Sequence, residues 1–508
     1  MIGLKAKAIY NRKEKIFNGV IIIDKGHIID IGKLGDMKLE KDMVLIDLGN
    51  STIVPGFIDA HTHWVQTALE TTFVDLANLE SLEDVLDCVK RETLIENDEA
   101  VVVFKNLRYD SFREKRYPTL KEIEAVANNT MVVIKDQTSH GCVLNKEAID
   151  FFVKNGLILD ENSKESGLLT GDKSYKAMNI LFSHLSKSGN LENAWMENCH
   201  NVLAKGVTAA SALEGELGNV NCADKDEIRV LIDLCKRSPI EMTLFYQTMD
   251  VDAIVDAGLN QIGGCILADG AFAPHTAALY EPYLDDPTTK GILYISDEDM
   301  LLFVEKARAN KLQIAMHACG DAAIGQILNT YQQVLRQEMP VDHRCRIEHF
   351  EIPQDWQIKM ASELGVLASM QPSFDYYWGI DVYEKKLGIE RAKRKKPFRT
   401  AIDSGIRIPV GSDSPVTPID PLLGIQSLVT NSNVPERISV REAIELFTYE
   451  SAYGVFKEKE YGSFGKGMFA NLVVLEEDPE EVEVNKIKDI KVQKTMVRGE
   501  FLFSDEEV

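Results

Sequence analysis

Two histidines separated by one residue are the first feature of this sequence that could do chemistry. His61 and His63 end the stretch Ile-Val-Pro-Gly-Phe-Ile-Asp-Ala-His-Thr-His at positions 53–63. On a β-strand, side chains two positions apart point to the same face, so both imidazoles would face one side. Two such imidazoles at a strand end are half of a transition-metal site. Asp59 shares this face and could orient one of the rings.

A metal site needs further ligands, and other elements of the chain must carry them. After this stretch, strand-like runs alternate with helical patterns, which is typical of a parallel α/β fold. We predict eight strands and therefore a TIM (β/α)8 barrel. The predicted strands are 54–63, 207–213, 242–247, 264–269, 313–317, 345–349, 366–371 and 406–413.

Side chains that bind metal ions occur at the C-terminal ends of several predicted strands. Besides the two histidines they are Cys265, His317, His349 and Asp413. In a TIM barrel those strand ends form the active face, so residues distant in sequence converge there. A single histidine is more often a satisfied core residue than a ligand. The prediction of a metal site therefore depends on the whole set.

Two β-rich segments flank the predicted barrel. We predict that residues 1–53 and 465–508 close into one small β-sandwich, since chain termini often lie close together. The barrel domain then covers 54–464. About 140 residues separate its first two strands, far more than an ordinary βα loop contains. We interpret about 70–195 as an inserted α/β subdomain above the catalytic face.

Composition excludes several classes of partner. The formal net charge of −24 argues against nucleic acid and against anionic membranes. The eight cysteines include no Cys-x-x-Cys pair, which fits reduced thiols. The N-terminus has no apolar signal region, and no run approaches the length of a membrane span. We expect a cytoplasmic protein that acts on a small molecule, for which a homodimer is a common state.

The motifs around these residues resemble those of the amidohydrolase superfamily. Further segments are similar to amidohydrolase family 3, the group that resembles N-substituted formamide deformylase. The resemblance implies a barrel plus β-sandwich, a divalent metal that is usually zinc, and hydrolysis of a C–N bond other than a peptide bond. It depends on IVPGFIDAHTH, HACGDAA, RIEHF and PVGSDSPVTPIDPL, and on SHGCVLNKEAI, ADGAFAPHTAALYEPYLDD and SMQPSFDYYW.

The resemblance also implies a ligand set. His61, His63 and Asp413 would hold one metal ion, and His317 and His349 a second. In the family a lysine, often carboxylated, bridges two ions, and this sequence has Cys265 at that position. We predict Cys265 as a ligand in place of the lysine. Whether one or two ions bind, and whether the thiol is only packing, stays open at this point.

Asp413 is the predicted general base, which would take a proton from a metal-acidified water and return it to the leaving nitrogen. His140, in Thr-Ser-His-Gly, matches a family motif and is predicted to contact the substrate or the developing oxyanion; a turn histidine is the alternative. Other polar and aromatic residues follow strands four and seven. Asp269, Gly270, His275, Gln371, Tyr376, Tyr377 and Trp378 are the further predicted pocket residues, with a plain turn or an apolar core as alternatives.

The predicted activity is hydrolysis of an N-acyl or N-formyl amine. The alternative within enzymes is a deaminase of a cyclic amidine or purine-like base, which would release ammonia. The alternative from another class is a non-catalytic interaction protein on the same fold. Relatives of that kind lack the metal-binding histidines, whereas this sequence keeps four histidines and the aspartate.

Overall fold

The computed structural model describes the chain except positions 13, 39, 41, 95–100, 110–111, 128, 138–140, 188, 216–222, 339–340 and 506–508. It contains two compact units. One combines Met1–Trp64 with Asn198–Val508, and the other is Val65–Glu197. The subdomain predicted at about 70–195 falls within the second unit.

The first unit contains a parallel barrel sheet. Within the described residues it has seven strands, and each pairs with the strand that follows it in sequence. Most of their residues are buried, because parallel strands in a barrel are covered outside and filled inside. We call them barrel strands 1 to 7: Phe57–Thr62, Val207–Glu214, Glu241–Tyr246, Gln261–Leu267, Gln313–Ala318, Arg346–His349 and Leu367–Ser369.

The eighth predicted strand, 406–413, is wrong as a regular strand. Pro409 offers no N–H for pairing, and Asp413 has a φ of 60°, which breaks an extended ladder. The segment nevertheless lies between barrel strands 7 and 1 and closes the barrel. Its backbone hydrogen bonds run from Ala368 N to Arg407 O, from Met370 N to Pro409 O and from Ala60 N to Val410 O.

Barrel strand 4 contains a bulge just before Cys265. Gly263 and Gly264 have φ values of 93° and 110°, which residues with a Cβ rarely adopt. A Cβ on Gly263 would lie 2.1 Å from the Ala315 carbonyl oxygen. The register with barrel strand 5 shifts between Gly263 and Leu267. Such bulges re-aim side chains near active sites, and this one precedes a candidate ligand.

Both ends of the chain contribute to one sheet, which has eight strands among the described residues. The apolar run predicted as one strand from 54 to 63 is divided at Gly56, and its first part joins this sheet. The strands are Ile2–Asn11, Glu14–Asp24, His27–Lys33, Val44–Asp47, Thr52–Pro55, Leu472–Leu475, Val492–Val497 and Glu500–Ser504.

The second unit has its own α/β core. A sheet of five strands, counted over the described positions, packs its apolar side chains with those of neighbouring helices. Leu76, Val89, Phe104 and Ile134 are fully buried in that cluster. The strands are Val74–Asp75, Val101–Leu107, Met131–Asp136, Gly141–Leu144 and Leu168–Thr170, and the helices are Leu82–Thr93, Leu120–Glu124, Lys146–Lys154, Glu161–Ser166 and Asp172–Ser186.

Several of the remaining helices begin where a side chain accepts a hydrogen bond from a free backbone N–H group. Ser296, for example, accepts a hydrogen bond from Asp299 N at 3.1 Å, which starts the helix Asp297–Ala309. No helix in the described part of the chain is long and apolar enough to cross a membrane. The others are Trp64–Thr71, Leu191–Leu203, Lys225–Arg237, Val251–Asp256, Asp321–Glu338, Asp355–Leu364, Ser373–Leu387, Ile389–Ala392, Phe398–Asp403, Pro421–Val429, Val440–Glu445 and Ser451–Tyr453.

Candidate metal centre

The C-terminal ends of the barrel strands bring a first group of potential ligands together. His61, His63, Cys265 and Asp413 each offer a ligand atom, and these atoms all lie within 4.8 Å of one another. Nε2 of both histidines lies 3.1 Å from Asp413 Oδ1. Cys265 Sγ lies 3.3 Å from His61 Nε2. Four residues that lie between positions 61 and 413 of the sequence therefore meet at one point.

A second group adjoins the first. Cys265, His317 and His349 also offer ligand atoms within 4.8 Å of one another. The rings of His317 and His349 are 4.4 Å apart between centroids, and those of His61 and His349 are 5.2 Å apart. Cys265 is common to both groups. All six residues predicted as metal ligands are thus brought together, with the thiol in the middle.

Two of these residues occupy strained backbone positions. His349 and Asp413 have φ values of 71° and 60°, in the left-handed region that residues with a Cβ seldom adopt. Such strain occurs at functional sites where surrounding contacts over-determine the conformation. Here Asp413 N donates to the His61 carbonyl oxygen at 2.8 Å. The Asp59 carboxylate, which was expected near the ligands, accepts hydrogen bonds from His61 N and Ser412 N.

The donor set fits a divalent cation. Burial raises the pKa of Asp413 and of Cys265, but the neighbouring imidazoles, among which the charge of His61 contributes most, together outweigh it, so both pKa values lie well below their ordinary range. Asp413 Oδ1 is buried and, among the described residues, accepts no hydrogen bond. A buried carboxylate oxygen without a donor, beside imidazole and thiol, is the environment that a bound cation satisfies.

Each of three ligand imidazoles is held through its Nδ1–H. Nε2 is therefore the nitrogen that can act as the ligand atom, because the partner of one ring nitrogen fixes the tautomer. The partners differ in charge: one is a carboxylate, one a backbone carbonyl and one an amide. His61 donates to Glu348 Oε2 at 2.6 Å, His63 to Leu213 O at 3.1 Å and His349 to Gln371 Oε1 at 2.8 Å.

Glu348 and its neighbour Arg346 were not predicted as site residues. Within the motif Arg-Ile-Glu-His, only the histidine was predicted to be a functional residue. Arg346 and Glu348 are opposite charges two positions apart on a buried strand, so both side chains point to one face. This spacing was the signal in the sequence that they could form a buried ion pair. Burial raises the pKa of Glu348, but the charge of Arg346 and the hydrogen bond from His61 lower it, to about 2 overall. Glu348 is therefore an ionised partner of a candidate ligand.

The residues predicted after strand four have different positions. The Asp269 carboxylate accepts hydrogen bonds from the backbone N–H groups of Ala278, Cys319 and Gly320. It therefore connects the loop after barrel strand 4 to the end of barrel strand 5. Burial raises its pKa to about 6. The Gly270 carbonyl oxygen lies 3.2 Å from His317 Nε2. His275 pairs with Asp285 and Lys386.

The residues predicted after strand seven divide into buried and exposed ones. Gln371 is fully buried behind His349. Tyr376, Tyr377 and Trp378 lie on the helix Ser373–Leu387 and are 51%, 47% and 38% exposed. A buried ring, Phe374, connects the two sets: it stacks with His349 at 6.2 Å and contacts Trp378 at 4.9 Å. His140 lies outside the described residues, so its role stays a prediction.

A parallel α/β barrel with imidazole, carboxylate and thiol groups at its C-terminal strand ends defines the class of metal-dependent hydrolases. Comparison with known proteins agrees with this class. The sequence model described as the amidohydrolase family matches residues 44–503. The chain therefore belongs to the amidohydrolase family. The predicted fold class was a TIM (β/α)8 barrel with a small β-sandwich from both termini and an inserted α/β subdomain. It is confirmed as a mixed α/β barrel with extra sheets.

Named relatives cover almost the whole chain. This chain is 28% identical to the putative amidohydrolase YtcJ of Bacillus subtilis (strain 168), over 90% of each protein. It is 25% identical to the N-substituted formamide deformylase of Arthrobacter pascens, over 94% of each. A solved structure of a metal-dependent hydrolase from Pyrococcus furiosus is similar with a TM-score of 0.79 and 23% identity, over 94% of this chain and 100% of that one. This last likeness shows the fold.

Proposed function

We propose that this hydrolase cleaves a C–N bond other than a peptide bond, in an N-acyl or N-formyl amine. The observation that carries the proposal is the position of Asp413: a carboxylate with a lowered pKa, 3.1 Å from two imidazoles at the barrel mouth. The name of the Arthrobacter relative, which is a deformylase of N-substituted formamides, supports this choice of substrate class.

Asp413 is the proposed proton carrier. Its Oδ1 lies 3.1 Å from Nε2 of both His61 and His63, a position from which the carboxylate can accept a proton from the attacking water. It then delivers that proton to the nitrogen, because an amine must be neutralised before it can leave. His140 is proposed to bind the oxyanion or the substrate. A divalent ion bound here would acidify water and polarise the carbonyl group.

We propose zinc as the ion, since nitrogen, sulfur and carboxylate ligands suit it best. His61, His63 and Asp413 would hold one ion, and His317 and His349 a second, with Cys265 between them. Protein purified without chelator is expected to contain this zinc. Elemental analysis by mass spectrometry checks the expectation. Protein that stays metal-free and inactive after reconstitution with several divalent ions would contradict it.

The half-exposed aromatic residues suit an apolar part of the substrate. Trp378 is in contact with Phe374, and Phe374 stacks on a candidate ligand. We propose that Tyr376 and Trp378 contact the substituent on the substrate nitrogen. Asp269, Gly270, His275 and Gln371 are proposed to shape the pocket around them rather than to react.

A product-resolved substrate screen tests the function. Metal-loaded protein is incubated with a series of N-formyl and N-acyl amines that differ in the size of the nitrogen substituent, and with cyclic amidines. Release of a free amine together with formate or another carboxylate is the expected result. Release of ammonia from the amidines alone would establish the deaminase instead. The variant Asp413→Asn, measured in parallel, shows whether turnover arises at this site.

A further inference from the structure

Glu348 lies between a fixed cation and a candidate metal ligand. One of its carboxylate oxygens accepts the Nε–H of Arg346 at 2.7 Å, and the other accepts the Nδ1–H of His61 at 2.6 Å. All three side chains are fully buried inside the barrel. An ionised carboxylate in such a place needs charged and hydrogen-bonded partners on both sides, and it has them.

Arg346 is held in this position by further contacts. Its Nη2 donates to the Ala60 carbonyl oxygen at 2.8 Å and to Ser369 Oγ at 3.0 Å. Its guanidinium group also lies 4.7 Å from the centre of the Phe245 ring. Arg346 thus contacts barrel strands 1, 3 and 7 from its own place on strand 6. The Glu348 carboxylate is held by the barrel itself, and His61 is held by the carboxylate.

The two imidazoles that belong only to the second ligand group, His317 and His349, have weaker hydrogen-bond partners. His349 donates to the neutral amide of Gln371, and His317 donates to the neutral carbonyl of Gly270. The Asp269 carboxylate is 3.5 Å from His317 Nε2, and three backbone N–H groups already bind it. A carboxylate behind an imidazole makes its other nitrogen a better donor and fixes the ring orientation. A neutral partner does this less.

We infer that Glu348 is a positioning residue that makes the His61, His63 and Asp413 half of the centre its tighter metal position. The inference rests on the proposed ligand set. Glu348 acts through His61 and touches neither substrate nor metal. Loss of such a partner typically lowers metal affinity 10–100-fold. Zn²⁺ added to metal-free protein should therefore fill the two positions in sequence, with this half first.

Titration of metal-free protein with Zn²⁺ in competition with a chromophoric chelator tests the inference. Two unequal affinities are expected for the natural sequence. In Glu348→Gln the tighter affinity should fall about 10–100-fold while the weaker one stays in place. The matched control is Glu436→Gln. Glu436 is also a buried carboxylate, and it accepts hydrogen bonds from the backbone N–H and the hydroxyl group of Thr400. It lies outside both ligand groups. Its loss should lower stability without changing either affinity.

The titration distinguishes a failure of the positioning role of Glu348 from a failure of the proposed function. If Glu348→Gln lowers only the thermal stability of the metal-free protein, with both affinities unchanged, Glu348 is structural and the inference is overturned. If the natural protein binds no Zn²⁺, the proposed function fails instead. Glu348→Asp covers the case in which the glutamine variant does not fold. It keeps the charge beside Arg346 but withdraws the carboxylate from His61, and it should lower the same affinity.

A measurement on the natural protein needs no variant to fold. With ¹⁵N-labelled histidine and no metal, the His61 signal should show a proton on Nδ1, because Glu348 accepts it. A proton on Nε2 with Nδ1 bare would overturn the inference. The signal of His349, whose Nδ1 partner is an amide, provides the comparison within the same protein.

Discussion

Replacing Asp413 by asparagine is expected to lower kcat roughly 10²–10⁴-fold, the usual contribution of a general acid–base residue, without loss of the fold. Asparagine has nearly the same shape but cannot carry a proton from water to the leaving nitrogen. The backbone contacts of Asp413, including its N–H bond to the His61 carbonyl oxygen, do not depend on the side chain. Initial rates at saturating metal concentration, together with circular dichroism and thermal unfolding, measure both effects.

A second aspartate provides the control for this variant. Asp420 caps the helix Pro421–Val429 by accepting Leu423 N–H at 3.1 Å, and asparagine caps helices equally well. Asp420→Asn should therefore keep its rate and its stability. Turnover of Asp413→Asn close to that of the natural protein would show that the base is another residue. Measured metal content in the same samples excludes loss of the ion as the cause.

Most of the barrel could be predicted because local pattern and tertiary environment agree. Runs such as Val207–Glu214 are mostly apolar and are buried along their whole length, as expected for strands that are covered on both faces. The polar residues that interrupt such runs at their C-terminal ends were therefore meaningful. His317 and His349 were identified as potential ligands in this way, and the structure brings both to Cys265.

The features that sequence analysis missed depend on distant partners. The segment from 406 to 413 closes the barrel without forming a strand, because Pro409 and the left-handed Asp413 prevent regular pairing. Glu348 was missed because its role depends on His61, 287 positions away in sequence. A charged residue in a buried strand signals that a partner exists, but it does not say which one.

Cys265→Ala is expected to lower metal content and activity together. Cys265 belongs to both ligand groups, so its loss removes one donor from each. Burial raises its pKa, but His61, His317 and His349 together outweigh that effect, and the pKa lies well below the ordinary thiol range. The sulfur is therefore available as thiolate, a strong zinc ligand at about 2.3 Å. Elemental analysis after dialysis against trace chelator, with rates on the same samples, measures the result.

The alternative role of Cys265 is packing. Its side chain also contacts a cluster that contains Leu213, Phe245 and Val455, where a thiol can act as a small apolar group. Cys345→Ala is the matched control, since Cys345 is an equally buried thiol outside both ligand groups. Each variant should lose about 1 kcal/mol of stability, a common cost for a small core truncation. Unchanged metal content and turnover in Cys265→Ala would leave packing as the only role of this thiol. Loss of metal in Cys265→Ala alone would identify the sulfur as a metal ligand.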